Sequence, residues 1–174
     1  MPKELTIRQR HFLKSKDKKI VIEQFKSLFP GKEEEFAKLI TPKSRIEWIK
    51  LDQNQVLYAI DNVLTFWLKG DKIIPLLSYL MKNPNPFKFV KVDQGAIKFV
   101  SKGANVMRPG ITHIDTTIKK GDIVTILDPQ HGRVLSFGEA LYDADKMESM
   151  KDGKAIKCVH SLTDNIWAFS KNFD

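Results

Sequence analysis

Residues 95–111 read GAIKFVSKGANVMRPGI, and this stretch decides how the second half of the chain is interpreted. It joins a short basic apolar run to a Gly-Ala hinge and an Arg-Pro-Gly turn, without the converging acids, bases or nucleophiles of a catalytic centre. A phosphate backbone is bound by main-chain N–H groups, close approach of the protein and a few cations. The stretch supplies all of these, so it predicts a nucleic-acid contact rather than a catalytic site.

The first part of the stretch predicts a short helix over residues 94–102, with Asp93 as its cap. Lys98 and Lys102 are four residues apart and share a face of that helix. Gly103 permits a left-handed residue that ends the helix. In this interpretation the lysines and the glycine contact RNA. The alternatives are ordinary solvated lysines and a glycine that only the backbone requires.

The second part predicts a strand, ANVMRPGI, that presents polar groups to the same ligand. Ala104 lets the main chain lie against a ribose or phosphate. Asn105 offers a donor and an acceptor to a base edge or a 2′-OH, unless it only caps a turn. Arg108 can donate two hydrogen bonds to a phosphate. Pro109-Gly110 fixes the turn that carries it, although Gly110 can also be required by a positive φ alone.

Two further residues, Lys154 and Lys157, belong to the same prediction, whereas Met107 does not. Met107 alternates with Arg108 in the strand and is assigned to the core rather than to a stacking platform. Lys154 and Lys157 lead into and occupy a late strand, where they extend the positive face or are simply solvated.

The formal net charge is +8 and is concentrated in the first half of the chain. Residues 1–88 carry 17 Lys and Arg against 10 Asp and Glu, whereas residues 89–174 carry 12 against 11. A positive field attracts polyanions such as RNA. An excess of this size also fits lysines that only solvate a surface, so the charge motivates an RNA hypothesis without establishing it.

A second basic patch is predicted at the start of the chain, as an anchor for ribosomal RNA. Phosphate contacts of this kind position a protein without reading sequence. The alternative is a charged edge that protects a strand from aggregation. The members of the patch are Arg8, Arg10, Lys14, Lys16, Lys18 and Lys19.

The composition is that of a folded protein, with 42% hydrophobic and 29% charged residues. The single cysteine, Cys158, excludes an intramolecular disulfide and zinc sites built from paired CxxC motifs. Cys158 and His160 share a face of a predicted strand, but no third group that would orient a nucleophilic pair is identifiable. We expect no catalysis, no cofactor and no metal. Without a signal peptide or an 18-residue apolar run, we expect a cytoplasmic protein.

The first half of the chain predicts an α+β domain over residues 1–86. A strand over residues 5–13 precedes two helices, the second over residues 33–40. The apolar face of the first helix is assigned Ile20, Val21, Phe25, Leu28 and Phe29.

Three strands follow in the same domain, joined by short turns. Their sequences are RIEWIKL, VLYAI and VLTFWL, and the turns at residues 52–54 and 61–62 suit hairpins. Residues 74–82 predict a helix with Pro75 in its first turn. The stretch NPNPFKF, residues 83–89, then marks a junction, because its two X-Pro bonds disfavour a helix and a central strand alike.

The second domain is predicted over residues 87–174 and is dominated by strands. Their sequences are ANVMRPGI, DIVTILD, VLSFGEAL, AIKCVHSL and DNIWAFS. Many short strands separated by turns predict a small, mostly antiparallel barrel or sandwich.

This half of the chain resembles the PUA domain, named for pseudouridine synthases and archaeosine transglycosylases. The resemblance covers residues 92–169 and runs in order through GAIKFVSKGANVMRPGI, KKGDIVTILDPQHGRVLSFGEALYDADKM and GKAIKCVHSL. It implies a pseudobarrel that binds structured RNA, commonly tRNA-like acceptor stems. It also implies a contact surface built from the first helix, the glycine-rich strand after it and part of the last strand.

VDQGAIKFVSKGANVM and the closing HSLTDNIW resemble the malignant-T-cell-amplified-sequence family of translation proteins. Members carry an α+β domain before the PUA module, and EQFKSLFPG and LTFWLKGDKIIPLLSYL occupy that pre-PUA domain here. Arg108 departs from the animal members, where a smaller residue precedes Pro-Gly, which favours an archaeal-type relative. The resemblance implies action at the small ribosomal subunit in initiation, reinitiation or recycling. For eukaryotic members it implies a separate partner related to an initiation factor.

These observations favour a non-catalytic RNA-binding protein of the translation apparatus, which binds tRNA, small-subunit rRNA or both through its PUA domain. Two alternatives stay open. One is an accessory subunit of an RNA-modification enzyme. The other is a protein-interaction module for another translation factor, with Trp48, Phe66 and Trp67 as candidate interface residues, although strand alternation assigns most of them to the core.

Overall fold

A computed structural model describes residues 3–83 and 85–173. The chain divides into two compact units by its internal contacts. Unit 1 comprises Met1–Pro86 together with Phe169–Asp174, and unit 2 comprises Phe87–Ala168. The sequence places residues 169–174 in the second domain, whereas their contacts group them with unit 1.

Unit 1 is built on an antiparallel sheet with the strand order β1-β2-β3-β4-β5. The strands are β1 (Ile7–Phe12), β2 (Ile46–Leu51), β3 (Val56–Ile60), β4 (Val63–Lys69) and β5 (Lys72–Pro75). The helices are α1 (Ser15–Lys26), α2 (Glu33–Leu39) and α3 (Leu77–Leu80).

Aromatic packing joins α1 to the sheet. The Phe25 ring stacks on Phe66 of β4 with 4.2 Å between centroids and meets Tyr58 of β3 edge-on at 5.2 Å. Phe25 is fully buried, and burial of such a ring contributes about 1.5–3 kcal/mol. Phe66 and Trp67 are buried, in agreement with their assignment to the core, but Ile20 is 55% exposed, so its assignment to the apolar face of α1 is wrong.

The predicted helix over residues 74–82 is wrong in its first part. Residues 72–75 form strand β5, in which Ile74 and Pro75 pair with Trp67 and Phe66 of β4. Within the described sheet β5 is an edge strand, where a proline without an N–H is tolerated. The helix that follows is the single turn α3.

Unit 2 contains a sheet with the strand order β7-β11-β10-β9-β6-β8. The strands are β6 (Phe89–Val92), β7 (Val106–Met107), β8 (Ile111–Ile114), β9 (Ile123–Leu127), β10 (Val134–Ala140) and β11 (Lys154–Ser161). The helices are α4 (Ile97–Val100), α5 (Ala144–Ser149) and α6 (Asn165–Lys171), the last of which extends into residues of unit 1. Among the described strands of this sheet, β6 and β9 are the pair that run parallel.

The two outer strands of this sheet, β7 and β8, are neighbours along the chain. A 3-10 turn over Arg108–Gly110 joins them, so one turn brings the two edges together and the sheet becomes a nearly closed pseudobarrel. Its interior is apolar, with Val90, Val124 and Ile156 fully buried. The α+β fold class and the pseudobarrel are therefore as the sequence predicts.

Two local predictions in unit 2 are wrong, and one helix was not predicted. ANVMRPGI is not one strand, because the 3-10 turn divides it into β7 and β8. Residues 144–149 form helix α5, which the sequence interpretation missed. DNIWAFS was assigned to a strand but forms α6, because the carboxylate of Asp164 accepts a hydrogen bond from the Trp167 amide at 2.7 Å and caps the helix.

Among the residues that the structure describes, no helix has the length and apolar character required to span a membrane.

Candidate nucleic-acid interface

The helix of residues 94–102 begins at Asp93, as predicted. The Asp93 carboxylate accepts a hydrogen bond from the Ala96 amide at 2.9 Å, and a 3-10 turn over Gln94–Ala96 leads directly into α4. Val100 is buried in the core of unit 2. Because one side of the helix faces the core, the opposite side faces solvent.

The exposed side of α4 carries a lysine and an aromatic ring. Lys98 is exposed, and its Nζ lies 5.0 Å from the centroid of the Phe99 ring. Phe99 is 57% exposed, the largest exposed fraction among the large hydrophobic residues described. The sequence interpretation did not single out this residue. Once Ile97 and Val100 face the core, however, helical periodicity places Phe99 outside.

Lys102 and Gly103 follow α4 and end it. Gly103 has φ +98°, and a Cβ atom there would lie 3.2 Å from Ser161 Oγ, so conformation and close approach both favour glycine. The Thr163 hydroxyl donates to the Lys102 carbonyl at 3.0 Å. The exposed residues Lys102 and Ala104 therefore stand on a loop fixed against the end of β11.

Asn105 is bonded inside the protein. Its side-chain oxygen accepts a hydrogen bond from the Cys158 amide of β11 at 2.8 Å. The acceptor predicted for a base edge or a 2′-OH is thus engaged by the protein itself. Asn105 ties its loop to β11, which neither of the two sequence interpretations anticipates.

The geometry of Arg108 differs from the prediction that its guanidinium is open to a phosphate. Nε donates to the Met147 carbonyl at 2.5 Å and Nη1 donates to the Ile111 carbonyl at 3.1 Å. Nη2 lies 3.8 Å from a carboxylate oxygen of Glu148, and the arginine side chain is only 17% exposed. The fork is therefore occupied by protein acceptors.

Pro109 and Gly110 lie in the 3-10 turn, as the sequence predicts for a turn. Gly110 does not have a positive φ, so the explanation by a left-handed backbone is wrong for this residue. Its carbonyl instead accepts a hydrogen bond from the Asp93 amide at 2.9 Å.

Met107 is 49% exposed, so its assignment to the core is wrong. It pairs in register with Lys154 of β11. The ladder between β7 and β11 shifts register between residues 154 and 156, and both Lys154 and Lys157 are exposed while Ile156 is buried. A bulge of this kind redirects side chains, which is why simple alternation fails in β11. In β7 alternation holds, with Val106 buried and Met107 exposed, and the choice of face was wrong.

The structure thus gathers exposed cations and apolar groups on two segments of unit 2, α4 with its loop and the β7–β11 pair. We call these residues the candidate surface: Lys98, Phe99, Lys102, Ala104, Met107, Lys154 and Lys157. Aromatic rings stack on unpaired bases and lysines attract phosphates.

Two of the six cations of the predicted N-terminal basic patch, the arginines, are paired with acidic side chains. Arg8 donates to Asp52, and Arg10 donates to both oxygens of Glu47, at 2.7 Å from Nη2 and 3.1 Å from Nε. Hydrogen bonds from Thr6, followed by that from Arg8, lower the pKa of Asp52 to about 2. The arginines thus stabilise the β1–β2 pair.

The lysines of the patch lie on and before α1. Lys18 donates to the Pro42 carbonyl at 3.3 Å. The exposed remainder is Lys14, Lys16 and Lys19. The patch that can meet a polyanion is therefore smaller than the sequence predicts.

No arrangement typical of catalysis emerges at Cys158 and His160. The structure supplies the third group that the sequence lacked, because Asp164 Oδ2 accepts a hydrogen bond from His160 Nδ1 at 2.5 Å. The His160 side chain is nevertheless 0% exposed and closed to a substrate. Within residues 3–83 and 85–173, no cluster of His, Cys, Asp and Glu could hold a metal ion.

Both halves of the chain match known domain families. Residues 88–162 match the PUA domain and residues 1–84 match the pre-PUA-like domain. Translation machinery-associated protein 20 of Saccharomyces cerevisiae is 36% identical over 148 residues, which cover 82% of this chain and 82% of the yeast protein. This chain belongs to the family of that protein.

The family includes the malignant T-cell-amplified sequence proteins that the sequence resembles. Malignant T-cell-amplified sequence 2 of Homo sapiens is 29% identical over 145 residues, with 80% of this chain and 79% of the human protein covered. A hypothetical protein from Pyrococcus horikoshii has a crystal structure with a TM-score of 0.81 and 31% identity, covering 93% of this chain and 99% of that one. The fold of both domains is thus seen in a solved relative.

Membership of this family supports a translation-related RNA-binding role. The PUA domain is an RNA-binding module, and the yeast relative is named for the translation machinery. The candidate surface lies within the PUA domain.

Proposed function

We propose that this protein is a non-catalytic translation factor that binds the single-stranded acceptor end of tRNA, or an equivalent end in small-subunit rRNA, through the candidate surface. The observation that carries the proposal is the exposed ring of Phe99, with Nζ of the exposed Lys98 5.0 Å from its centroid and the exposed Lys102 following on the next loop. Single-stranded RNA offers unstacked bases that stack on aromatic rings and phosphates that attract lysines.

The roles of the residues follow from their positions. Phe99 stacks on a base, and Met107 offers a second exposed apolar side chain. Lys98, Lys102, Lys154 and Lys157 contact phosphates. Ala104 and the Gly103 backbone permit close approach of a ribose, since the loop presents almost no side chain there. Asn105, Arg108, Pro109 and Gly110 shape this surface from within.

The exposed lysines of α1 form a second, weaker contact in this proposal. Lys14, Lys16 and Lys19 provide a phosphate contact that does not read sequence, on ribosomal RNA of the small subunit. The setting is the cytoplasm, where translation occurs, and the step is initiation or ribosome recycling. An initiation-factor-like protein is the proposed partner.

Binding to a tRNA acceptor minihelix with an intact CCA end tests the proposal, beside a minihelix that lacks CCA. We expect the loss of CCA to weaken binding and Phe99→Ala to weaken it about tenfold, because base–aromatic stacking is worth about 1–3 kcal/mol. Lys102→Glu should also weaken binding and lower the salt dependence. Lys120→Glu is the matched control, an exposed charge reversal in unit 2 outside the candidate surface.

Several outcomes oppose the proposal. Equal affinity of Phe99→Ala and wild type would exclude stacking on this ring. Equal losses in Lys102→Glu and Lys120→Glu would mean that net charge, rather than the candidate surface, governs binding. Tight binding to small subunits with indifference to either minihelix would favour the α1 lysines as the main contact.

A further inference from the structure

We infer that Arg108 is a positioning residue for RNA binding, which holds the helix of Lys98 and Phe99 in place and makes no phosphate contact itself. The inference rests on the proposed function and adds to it a residue that acts through others. Its basis is a continuous set of hydrogen bonds between α5, the 3-10 turn and α4.

The first step joins Arg108 to α5. Nε donates to the carbonyl oxygen of Met147 in the last turn of α5, an oxygen that also accepts a hydrogen bond from the Met150 amide at 3.2 Å. Nη1 donates to the carbonyl of Ile111, which begins β8. One planar guanidinium thereby fixes the turn both to a neighbouring helix and to its own following strand.

The second step joins the turn to the helix cap. The Arg108 amide donates to the Gly153 carbonyl at 2.8 Å, which fixes the start of the turn. At its end, the Gly110 carbonyl accepts a hydrogen bond from the Asp93 amide at 2.9 Å. A Cβ atom on Gly110 would lie 3.5 Å from the Ala96 Cβ, so this turn also packs against the first residues of the helix.

The third step joins the cap to the candidate surface. Asp93 accepts the Ala96 amide at 2.9 Å and thereby fixes where α4 begins. The start of a helix of four residues determines the direction of every side chain on it. Displacement of the turn would therefore change how Lys98 and Phe99 face solvent.

Arginine is required here for its shape as well as its charge. A lysine retains the positive charge, but its three N–H donors share one nitrogen, which cannot occupy the separate positions of Nε and Nη1 that reach Met147 and Ile111. Arg108→Lys consequently distinguishes a direct phosphate contact from a positioning role. The lysine still attracts a phosphate by its charge, but it no longer connects α5 to the turn.

The test combines Arg108→Lys and Arg108→Met with Arg133→Met, a control that removes an exposed arginine elsewhere in unit 2. Affinity for the CCA-ended minihelix is measured at several salt concentrations, at a temperature where every variant is folded. Hydrogen exchange of the amides of residues 96–104 reports on α4 without RNA.

We expect both Arg108 variants to bind about tenfold more weakly than wild type, with faster exchange at Ala96 and Ser101 and an unchanged salt slope. A direct phosphate contact predicts the opposite for Arg108→Met, a slope smaller by about 0.7. Wild-type affinity in Arg108→Lys, a reduced slope in Arg108→Met or unchanged exchange in α4 would each overturn the inference.

Asp93→Ala provides a second route if the Arg108 variants are poorly stable. It breaks the same connection at the helix cap without touching Arg108. We expect the losses of Asp93→Ala and Arg108→Lys to be less than additive in the double variant, because both release the same helix. Additive losses would overturn the inference. An undiminished affinity of Phe99→Ala, by contrast, identifies failure of the proposed function itself.

Discussion

The side-chain oxygen of Asn105 accepts a hydrogen bond from the backbone amide of Cys158 at 2.8 Å, across 53 residues of sequence. This bond fixes the loop after α4 against the middle of β11. The loop carries Ala104, and α4 carries Phe99, so part of the candidate surface depends on a bond that is not itself exposed.

Asn105→Ala should therefore destabilise the PUA domain by about 1–2 kcal/mol, because the partly buried Cys158 amide loses its acceptor. Asn105→Asp keeps an oxygen at the same place and should lose less. Urea unfolding at neutral pH measures both. Equal losses of unfolding free energy in the two variants would show that stability does not depend on an oxygen acceptor at residue 105.

Much of the fold could be predicted from local sequence. The hairpins β2–β3 and β3–β4 are marked by short polar turns, and Asp61 and Asn62 have the positive φ values of such a turn. The α5 region and residues 165–171 were missed or misassigned, although Asp143 and Asp164 precede them at positions typical of helix caps. For β5, the four residues KIIP are too short to distinguish strand from helix by periodicity.

The candidate site was less predictable, because several of its contacts join residues that are far apart in the sequence. The partner of Arg108 is the Met147 carbonyl, 39 residues away, and no local pattern reveals it. The acidic partners of Arg8 and Arg10 lie on or just after β2 and become visible only when its register with β1 is known. Phe99, in contrast, follows from the helical pattern once its inward positions are assigned.

The pH dependence of stability should reflect Asp164. Burial opposes ionisation of this carboxyl, but hydrogen bonds from His160, Trp167 and Ser161 hold its pKa below the ordinary value. The unfolded chain therefore binds a proton more readily than the native state, so the stabilisation is present above about pH 4 and is lost as the pH falls further.

Asp164→Asn should reduce stability at pH 7 and flatten this acid-side decline, as measured by thermal unfolding between pH 3 and pH 7. Asp152→Asn, at an exposed position of unit 2, is the control for removal of one carboxylate. An acid-side decline that is as steep in Asp164→Asn as in wild type would contradict the assignment.

Arg10 should matter for stability rather than for RNA binding. Glu47 is only 6% exposed, and Arg10→Met would leave its carboxylate buried without the guanidinium. We expect a loss of about 1–3 kcal/mol in unfolding free energy. Replacement of both residues, Arg10→Met with Glu47→Leu, should recover part of this loss. If the double variant is no more stable than Arg10→Met, the buried Glu47 carboxylate is not the cause of the loss.

The α1 lysines should matter for RNA binding rather than for stability. Lys16→Glu with Lys19→Glu should change stability by less than about 0.5 kcal/mol, since both side chains are exposed. Binding to small ribosomal subunits should fall. Lys32→Glu with Lys38→Glu carries the same change of charge on another exposed part of unit 1, and an equal loss in this control would remove the special role of α1.

Photo-crosslinking can show whether an RNA end lies on the candidate surface. An acceptor minihelix with a photoreactive base in its CCA end is irradiated with the wild-type protein, and the crosslinked peptide is identified by mass spectrometry. We expect crosslinks within residues 98–107, lost in Phe99→Ala and retained in Lys120→Glu. Crosslinks confined to α1, or none above the level of a minihelix without CCA, would contradict this expectation.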